Sequence, residues 1–486
     1  MYLGIDLGTS EVKALVINEQ GDIVATHSSP LTISRPKPNW SEQDPQDWWI
    51  ATNELIKSLR EKCAEHWTAI KAIGLSGQMH GAVLLDEQDD VIRPAILWND
   101  TRSYNECIEL EAVAPDLHKI AGNLAMPGFT APKLIWVRKN EPENFARVRT
   151  VLLPKDYLRL KMTGNKISDV SDSAGTLWLD VAKRDWSDHL LEKCQLTRAH
   201  MPALVEGCDV SATLSADIAQ QWGLQPSVIV AGGGGDNAVS AIGVGAVNTG
   251  DAFISLGTSG VLFVVNDQFR PAPESAVHAF CHVLPQRWHQ MSVMLSAASC
   301  LKWFCRIVGT TEAELLEEIS QLSEDDKVNA PLFLPYLSGE RTPHNDPLAT
   351  GMFHGMTHST NRALLGYAVI EGVSFGLADG LRVLQDSGTY IEQCSLVGGG
   401  ARSFFWAQLL ADILGIPTVI HKGGETGGAL GAARLAAIAS GKSEKEVCEK
   451  PEVYRIYQPT VARKIPLSER YNRFRALYIN DLSLRS

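Results

Sequence analysis

Clusters of basic charge are missing from this chain of 486 residues. With 44 Lys and Arg against 56 Asp and Glu, its net charge is −12. No basic cluster is long enough to form a stripe for nucleic acid, so a polyanionic polymer is excluded as the expected partner. A small anion held by backbone N–H groups remains compatible with this balance. Also missing is an uninterrupted apolar run long enough to cross a bilayer, so no membrane partner is expected. The N-terminus enters a strand directly, without the basic-then-apolar pattern of a secretory leader. The nine cysteines contain no C-x-x-C pair, and their odd number points to scattered reduced thiols in a cytoplasmic protein. His278 and His282 have i,i+4 spacing, but no Cys or acid stands at an offset that would complete a metal site; packing is their expected role. G-x-G-x-x-G is absent, which argues against Rossmann and protein-kinase readings. Gly441-Lys442-Ser443 resembles the tail of a Walker A loop, but Ala436 replaces the upstream glycine.

What is present is an ordinary globular composition, 45% hydrophobic and 21% charged. The length exceeds what one core holds, so two large domains or three small ones are expected. Strand and helix patterns alternate in both halves, an α/β signature. Gly243, Gly245 and Gly250 cluster between the halves, placing domains at 1–246 and 247–486. Residues 1–30 read as a β-meander, and Asp44-Pro45 as a helix N-cap followed by Pro at the first helical position. Helical patterns cover 102–113, 130–140 and 154–163. The second half has a meander from 251 and helices at 294–308, 311–322, 361–386, 402–414 and 427–440, with strands at 395–397 and 417–420. The stretch 442–467 is Pro- and charge-rich and is expected to skirt the surface before an amphipathic helix at 468–482.

The tetrapeptide Leu-Gly-Thr-Ser occurs twice, at Leu7–Ser10 and Leu256–Ser259, each between two short apolar runs. Each copy reads as strand, tight turn, strand. Gly and small hydroxylated residues leave N–H and O–H groups free to wrap an anion, although the same residues also make ordinary hairpins. Asp6 precedes the first turn. It reads either as a Mg²⁺ residue, since a carboxylate beside phosphate needs a cation, or as a hairpin Asp bonding turn N–H groups. Asp236 follows a strand and four glycines, Gly232–Gly235. It suits the base that accepts an alcohol proton in phosphoryl transfer, or a helix N-cap, or both. Gly398-Gly399-Gly400-Ala401-Arg402-Ser403 joins strand to helix, either as a bed for a flat ring or ribose or as a tight βα turn. Gln78-Met79-His80, flanked by Gly77 and Gly81, and Trp98-Asn99-Asp100-Thr101-Arg102 combine apolar flats with hydrogen-bonding groups, as a small polyol or ketose requires.

These residues resemble the FGGY carbohydrate kinases. Gly4–Ser10 and the second Leu-Gly-Thr-Ser are similar to that family's two phosphate motifs. Gly128-x-Thr130-x-x-Lys133-Leu134-x-Trp136 matches one family signature, and Gly351-x-Phe353-x-Gly355-Met356 through Glu371 resembles the other, departing at Leu364. Glu11 also departs, standing where Gly is common. The resemblance covers nearly the whole chain and implies a duplicated actin-like, hexokinase-type α/β ATPase fold around a cleft. It implies ATP and Mg²⁺ as cofactors, with D-xylulose, or another ketose or polyol such as ribulose or glycerol, as acceptor. Asp236 is then the base and Asp6 the metal residue. Gln78, Met79, His80, Trp98, Asn99, Arg102 and Asn237 are expected at the sugar. Gly8, Thr9, Ser10, Lys13, Gly257, Thr258, Ser259, Gly399, Gly400 and Arg402 are expected at the nucleotide. A homodimer is implied by the resemblance alone. A sugar-independent sensor or structural ATPase of the actin type is the other class consistent with the turns.

Overall fold

Each half of the chain builds one large mixed sheet. The structure, a computed structural model, describes residues 1–422 and 427–485. The first sheet contains β1 (Tyr2–Leu7), β2 (Glu11–Ile17), β3 (Ile23–Pro30), β4 (Ala72–Gly77), β5 (Val210–Thr213), β6 (Ile229–Ala231) and the two-residue β7 (Gly234–Gly235). Their order is β5-β6-β4-β1-β2-β3, with β7 beside β4. β1, β2 and β3 form the antiparallel meander, β4 runs parallel to β1, β6 parallel to β4, and β5 antiparallel to β6.

The second sheet contains β8 (Ala252–Leu256), β9 (Gly260–Asn266), β10 (His278–Cys281), β11 (Trp288–Met294), β12 (Cys394–Val397), β13 (Thr418–His421) and β14 (Val453–Tyr457). Their order is β10-β11-β9-β8-β12-β13-β14. Here β8, β9 and β11 are the meander, β12 and β13 the parallel strands, and β14 the antiparallel edge. The two sheets therefore share a core of three meander strands followed by two parallel ones and differ at their edges, where β5 precedes β6 but β14 follows β13 and β10 has no counterpart; each Leu-Gly-Thr-Ser turn joins the first two meander strands. The stretch 442–467 runs over the surface as expected, and within it β14 is a strand that the sequence does not signal. Its side chains are exposed from Val453 to Ile456, so no alternation marked it as a strand; its backbone pairs with β13 all the same.

The helices that matter below are α1 (Pro45–Lys62), α2 (Thr130–Asn140), α3 (Pro154–Thr163), α4 (Val170–Ser173), α5 (Asp236–Gly243), α6 (Ala298–Val308), α7 (Arg362–Asp386), α8 (Phe404–Leu414), α9 (Gly427–Ala439) and α10 (Lys464–Arg485). Asp44 caps α1, its side chain accepting the Gln46 N–H at 2.9 Å. Among the described residues, α7 is long and apolar enough to cross a membrane, but most of it is buried inside the protein. Glu371 and Asp379 fall inside it, so the helix expected at 361–386 is not an uninterrupted apolar run. Both acids are buried with partners: Glu371 takes Arg470 Nε at 2.8 Å, and Asp379 takes the Tyr471 hydroxyl at 2.6 Å.

Helix α9 lies in the second half of the sequence but packs on the first sheet. A Cβ on Gly4 would stand 2.0 Å from the Ala429 carbonyl oxygen, and one on Gly74 would stand 1.8 Å from that of Ala432. Only glycine on β1 and β4 lets this helix backbone come so close. Its start reaches the cleft, where a Cβ on Gly428 would be 2.6 Å from Asp6 Oδ2.

Candidate active site

The strand ends β1, β4 and β7 bring the first half's polar residues together. Asp6 lies near the end of β1, in register with Ser76 on β4 and Lys13 on β2. Ser76 Oγ–H donates to Asp6 Oδ1 at 2.7 Å. Burial raises the Asp6 pKa; the nearby Lys13 opposes this and Glu11 adds to it. β7 continues beside β4, pairing Gly234 with Ser76 and Gly235 with Gly77, and so delivers Asp236 next to Asp6. Gly235 is the N-cap of α5, which makes Asp236 the first helical residue rather than the cap. Its Oδ1 accepts the Asn237 N–H at 2.7 Å and Nδ2–H at 3.0 Å. Burial, and secondarily the charge of Asp6, push Asp236 up to about 7. A carboxyl poised there accepts a proton at neutral pH and can release it again.

A buried ionic cluster underlies this edge. Lys155 on α3 lies 2.7 Å from Asp156, 2.9 Å from Asp169 and 3.2 Å from Asp172, all with fully buried side chains. Arg159 donates to the carbonyls of Ala231 and Gly232, and the Gly235 N–H meets Ser171 Oγ at 3.4 Å. The glycine run before Asp236 is thus anchored by charged hydrogen bonds, which outweigh neutral ones. Nothing in the sequence around 155–172 signalled this support.

The first turn is bound up with its neighbours. Trp98 Nε1–H donates to Thr9 Oγ1 at 2.9 Å, and Thr9 Oγ1–H donates to Gln78 Oε1 at 2.9 Å. Gln43 Nε2–H donates to the Thr9 carbonyl at 2.8 Å, and Gln78 Nε2–H reaches Gln43 Oε1 at 3.2 Å. Gln43 escaped the sequence reading because it falls just before α1, far from any motif. Gln78 is 2% exposed and spends these groups on the turn. Arg102 is likewise turned inward: it pairs with Asp100 at 2.6 Å and Glu42 at 2.7 Å, with its guanidinium 3.6 Å from the Trp40 ring centre. With a side chain 1% exposed, Arg102 braces its loop instead of facing a sugar, a correction to the expected contact. Asn99 Oδ1 is buried without a partner among the described residues, and Trp98 leaves 45% of its surface exposed.

Met79 and His80 lie beside the Gly235-Asp236 step. A Cβ on Gly235 would touch Met79 Cγ at 2.8 Å, and one on Gly175 would stand 2.6 Å from His80 Nδ1. His80 adopts a left-handed backbone, φ 69°, uncommon for a side-chain-bearing residue. Thr130 Oγ1–H and Lys133 Nζ–H, both on α2, donate to its carbonyl at 3.1 and 2.8 Å. His80 Nδ1–H donates to the Gly175 carbonyl at 2.7 Å, leaving Nε2 as the acceptor. Burial holds the ring neutral, with its pKa lowered to about 3. His278 and His282 belong to and follow strand β10 rather than a helix, and both are buried.

The second turn is built differently. Ser255 holds the place of Asp6, and the Thr258 carbonyl accepts the Ala297 N–H at 2.9 Å and Ser299 Oγ–H at 2.7 Å at the start of α6. Gly257 and Thr258 line a cavity of about 980 Å³, together with Lys302, Gly399, Gly400, Arg402 and Trp406. A Cβ on Gly399 would meet nothing within 4 Å, so that glycine borders open space. Among the described residues, the N–H groups of Thr9, Ser10, Thr258 and Ser259 meet no protein acceptor. Such groups are ready donors for phosphate oxygens.

Comparison with known proteins gives this geometry a family. The FGGY carbohydrate kinase N-terminal domain matches residues 1–243, and the C-terminal domain of the same family matches 252–440. The chain belongs to the FGGY family of carbohydrate kinases. Like the family, it is a kinase with the duplicated actin-like ATPase fold, and ATP is its phosphoryl donor. It is 52% identical to the xylulose kinase of Escherichia coli K12 over 486 residues, all of both chains. It is 54% identical to that of Klebsiella pneumoniae over 439 residues, 90% of each. Among solved structures, a xyloylose kinase from Brucella ovis superposes with a TM-score of 0.97 at 52% identity, covering 99% of both chains.

Proposed function

We propose that this FGGY kinase transfers the γ-phosphoryl group of ATP to the terminal hydroxyl of D-xylulose, giving D-xylulose 5-phosphate and ADP. The placement of Asp236 carries this reading: β7 delivers it beside Asp6, directly after Gly235, whose Cβ position touches Met79. The full-length likeness to xylulose kinases supports the choice of sugar. Asp236 accepts the proton of the terminal hydroxyl as its oxygen attacks the γ-phosphorus, and ADP departs from the opposite side. Met79 and the Trp98 ring cover the sugar's CH faces, His80 Nε2 accepts a hydroxyl hydrogen, and Asn99 and Asn237 take further hydroxyls. Gln78 and Arg102 act by bracing the loops. The nucleotide lies in the cavity of the second half over Gly399 and Gly400, beside Arg402. Its phosphates meet the N–H groups of Thr9, Ser10, Thr258 and Ser259; Gly8 and Gly257 close the two turns by donating to the Glu11 and Ser259 carbonyls and leave room for the phosphates, with Lys13 adding charge near the first turn. Closure of the cleft would exclude water and limit wasteful hydrolysis.

Asp6 fits a Mg²⁺ residue. Its half-buried carboxylate lies close enough to Asp236 for its charge to raise that group. Such a site suits an ion that keeps water and phosphate oxygens in its shell. When bound, the ion neutralises charge on the β- and γ-phosphates. We place the domain division at 246/247 and the enzyme in the cytoplasm as a homodimer; nine free thiols agree with a reducing compartment. A coupled ADP-release assay across D-xylulose, ribulose, hexuloses and glycerol tests the substrate. D-xylulose is expected to give the highest kcat/KM, and ADP release unaffected by every sugar would overturn the reading.

A further inference from the structure

We infer that Arg341 is the second half's contact with the sugar, its guanidinium donating to the carbonyl oxygen of the ketose whose terminal hydroxyl lies at Asp236. The inference rests on the sugar-kinase reading above and adds to it the group that distinguishes a ketose from a polyol. Arg341 is presented rigidly. On one side the Glu340 carboxyl turns into the core, where Oε1 accepts the Leu295 N–H at 2.9 Å and the Arg341 N–H at 2.8 Å. On the other side Thr342 bonds both ways to the β11 backbone at Val293, and its hydroxyl donates to the Ala276 carbonyl at 2.9 Å. The guanidinium is steadied by a directional chain: Arg341 Nη1–H donates to His278 Nε2 at 3.1 Å, and His278 Nδ1–H donates to Asn123 Oδ1 at 2.9 Å.

No other acceptor engages that guanidinium, and no carboxylate pairs with it at ion-pair distance among the described residues. An arginine has five N–H donors, and leaving most of them unused on a part-buried cation is costly unless a ligand takes them. The cation also lies at the sugar wall. His278 is 5.6 Å from the Phe129 ring, which is 4.6 Å from the His80 ring, and the Arg341 charge itself helps keep His80 neutral. Met79 separates His80 from the base, so a sugar with its terminal hydroxyl at Asp236 runs toward His80 and Arg341. There the neutral His80 Nε2 accepts from a hydroxyl, while Arg341 supplies donors. A carbonyl oxygen can only accept, so of the two it must face Arg341.

The test compares D-xylulose with xylitol, which carries a hydroxyl in place of the C2 carbonyl, in wild type, Arg341→Met and Arg341→Lys. Loss of a charged hydrogen bond predicts a kcat/KM for D-xylulose about 10- to 100-fold lower in Arg341→Met. The D-xylulose/xylitol ratio should collapse, with Arg341→Lys recovering part of it. An equal loss on both sugars, or none, would overturn the inference. Should Arg341→Met fail to fold, the wild-type enzyme provides the second readout: the ¹³C2 resonance of bound [2-¹³C]-D-xylulose should remain a carbonyl signal and move downfield. An unshifted or hemiketal signal would overturn it. A wild-type enzyme inactive on D-xylulose instead removes the functional reading on which the inference stands.

Discussion

The two Leu-Gly-Thr-Ser turns have the same sequence and join corresponding strands of the two sheets, yet their surroundings differ. The first is enclosed. Its hydroxyl is taken at both ends by Trp98 and Gln78, its carbonyl is held by Gln43, and the half-buried Asp6 carboxylate stands just before it. The second is open. It has Ser255 where the first has Asp6, one hydroxyl bond from Ser299, and a cavity of about 980 Å³ beside it. The turn leaves N–H groups without a protein acceptor among the described residues in both places; the neighbours set how enclosed each set is.

The largest expected break in this comparison is Asp236→Asn on the enclosed side. It keeps the shape but cannot accept a proton, so kcat should fall about 10²- to 10⁴-fold with ATP affinity retained. Single-turnover kinetics and calorimetric ATP titration check both halves of that statement. Next is pH. Asp236 acts only when ionised, so kcat should climb about tenfold per unit while pH stays below about 7, where burial has placed the group, and level off above it. The Asp236→Asn enzyme should lose that rise.

On the open side, Gly399→Leu adds a side chain toward empty space, so the fold should survive while the nucleotide is obstructed. A rise in KM for ATP of about tenfold, ~1.4 kcal/mol, is expected with a smaller change in kcat. The smallest effects separate the turns themselves. Trp98→Phe removes one hydrogen bond to Thr9, and Ser299→Ala removes one to Thr258, each worth about 0.5–1.5 kcal/mol. Trp98→Phe should lower kcat by several fold, whereas Ser299→Ala should act mainly on KM for ATP; equal effects on kcat would mean that the turns are interchangeable.

The two turns, the strand ends that carry Asp6 and Asp236, and the Gly398–Gly400 bend were legible as local structure, because each combines a strand end with residues that keep backbone accessible. Long helices such as α7 and α9 were legible within a residue or two. Arg102 misled, since a sequence does not reveal that Asp100, Glu42 and Trp40 converge on it. The Asn123–His278–Arg341 chain and the Lys155 cluster were invisible for the same reason: their partners come from distant segments, and only the packed sheets bring them together. β14 was missed because an exposed edge strand carries no burial alternation.

The docking of α9 on Gly4 and Gly74 bears on how the enzyme is made. A ribosome finishes the first sheet early, but the helix that covers one of its faces emerges only after nearly the whole second sheet has been translated. Until then the nascent first half exposes the bare glycine-bearing face of β1 and β4 and lacks the helix start that abuts Asp6. A gene split at residue 246 would therefore yield an N-terminal fragment unable to complete its own active site. Separately expressed halves should regain activity only when the C-terminal piece supplies α9 in trans.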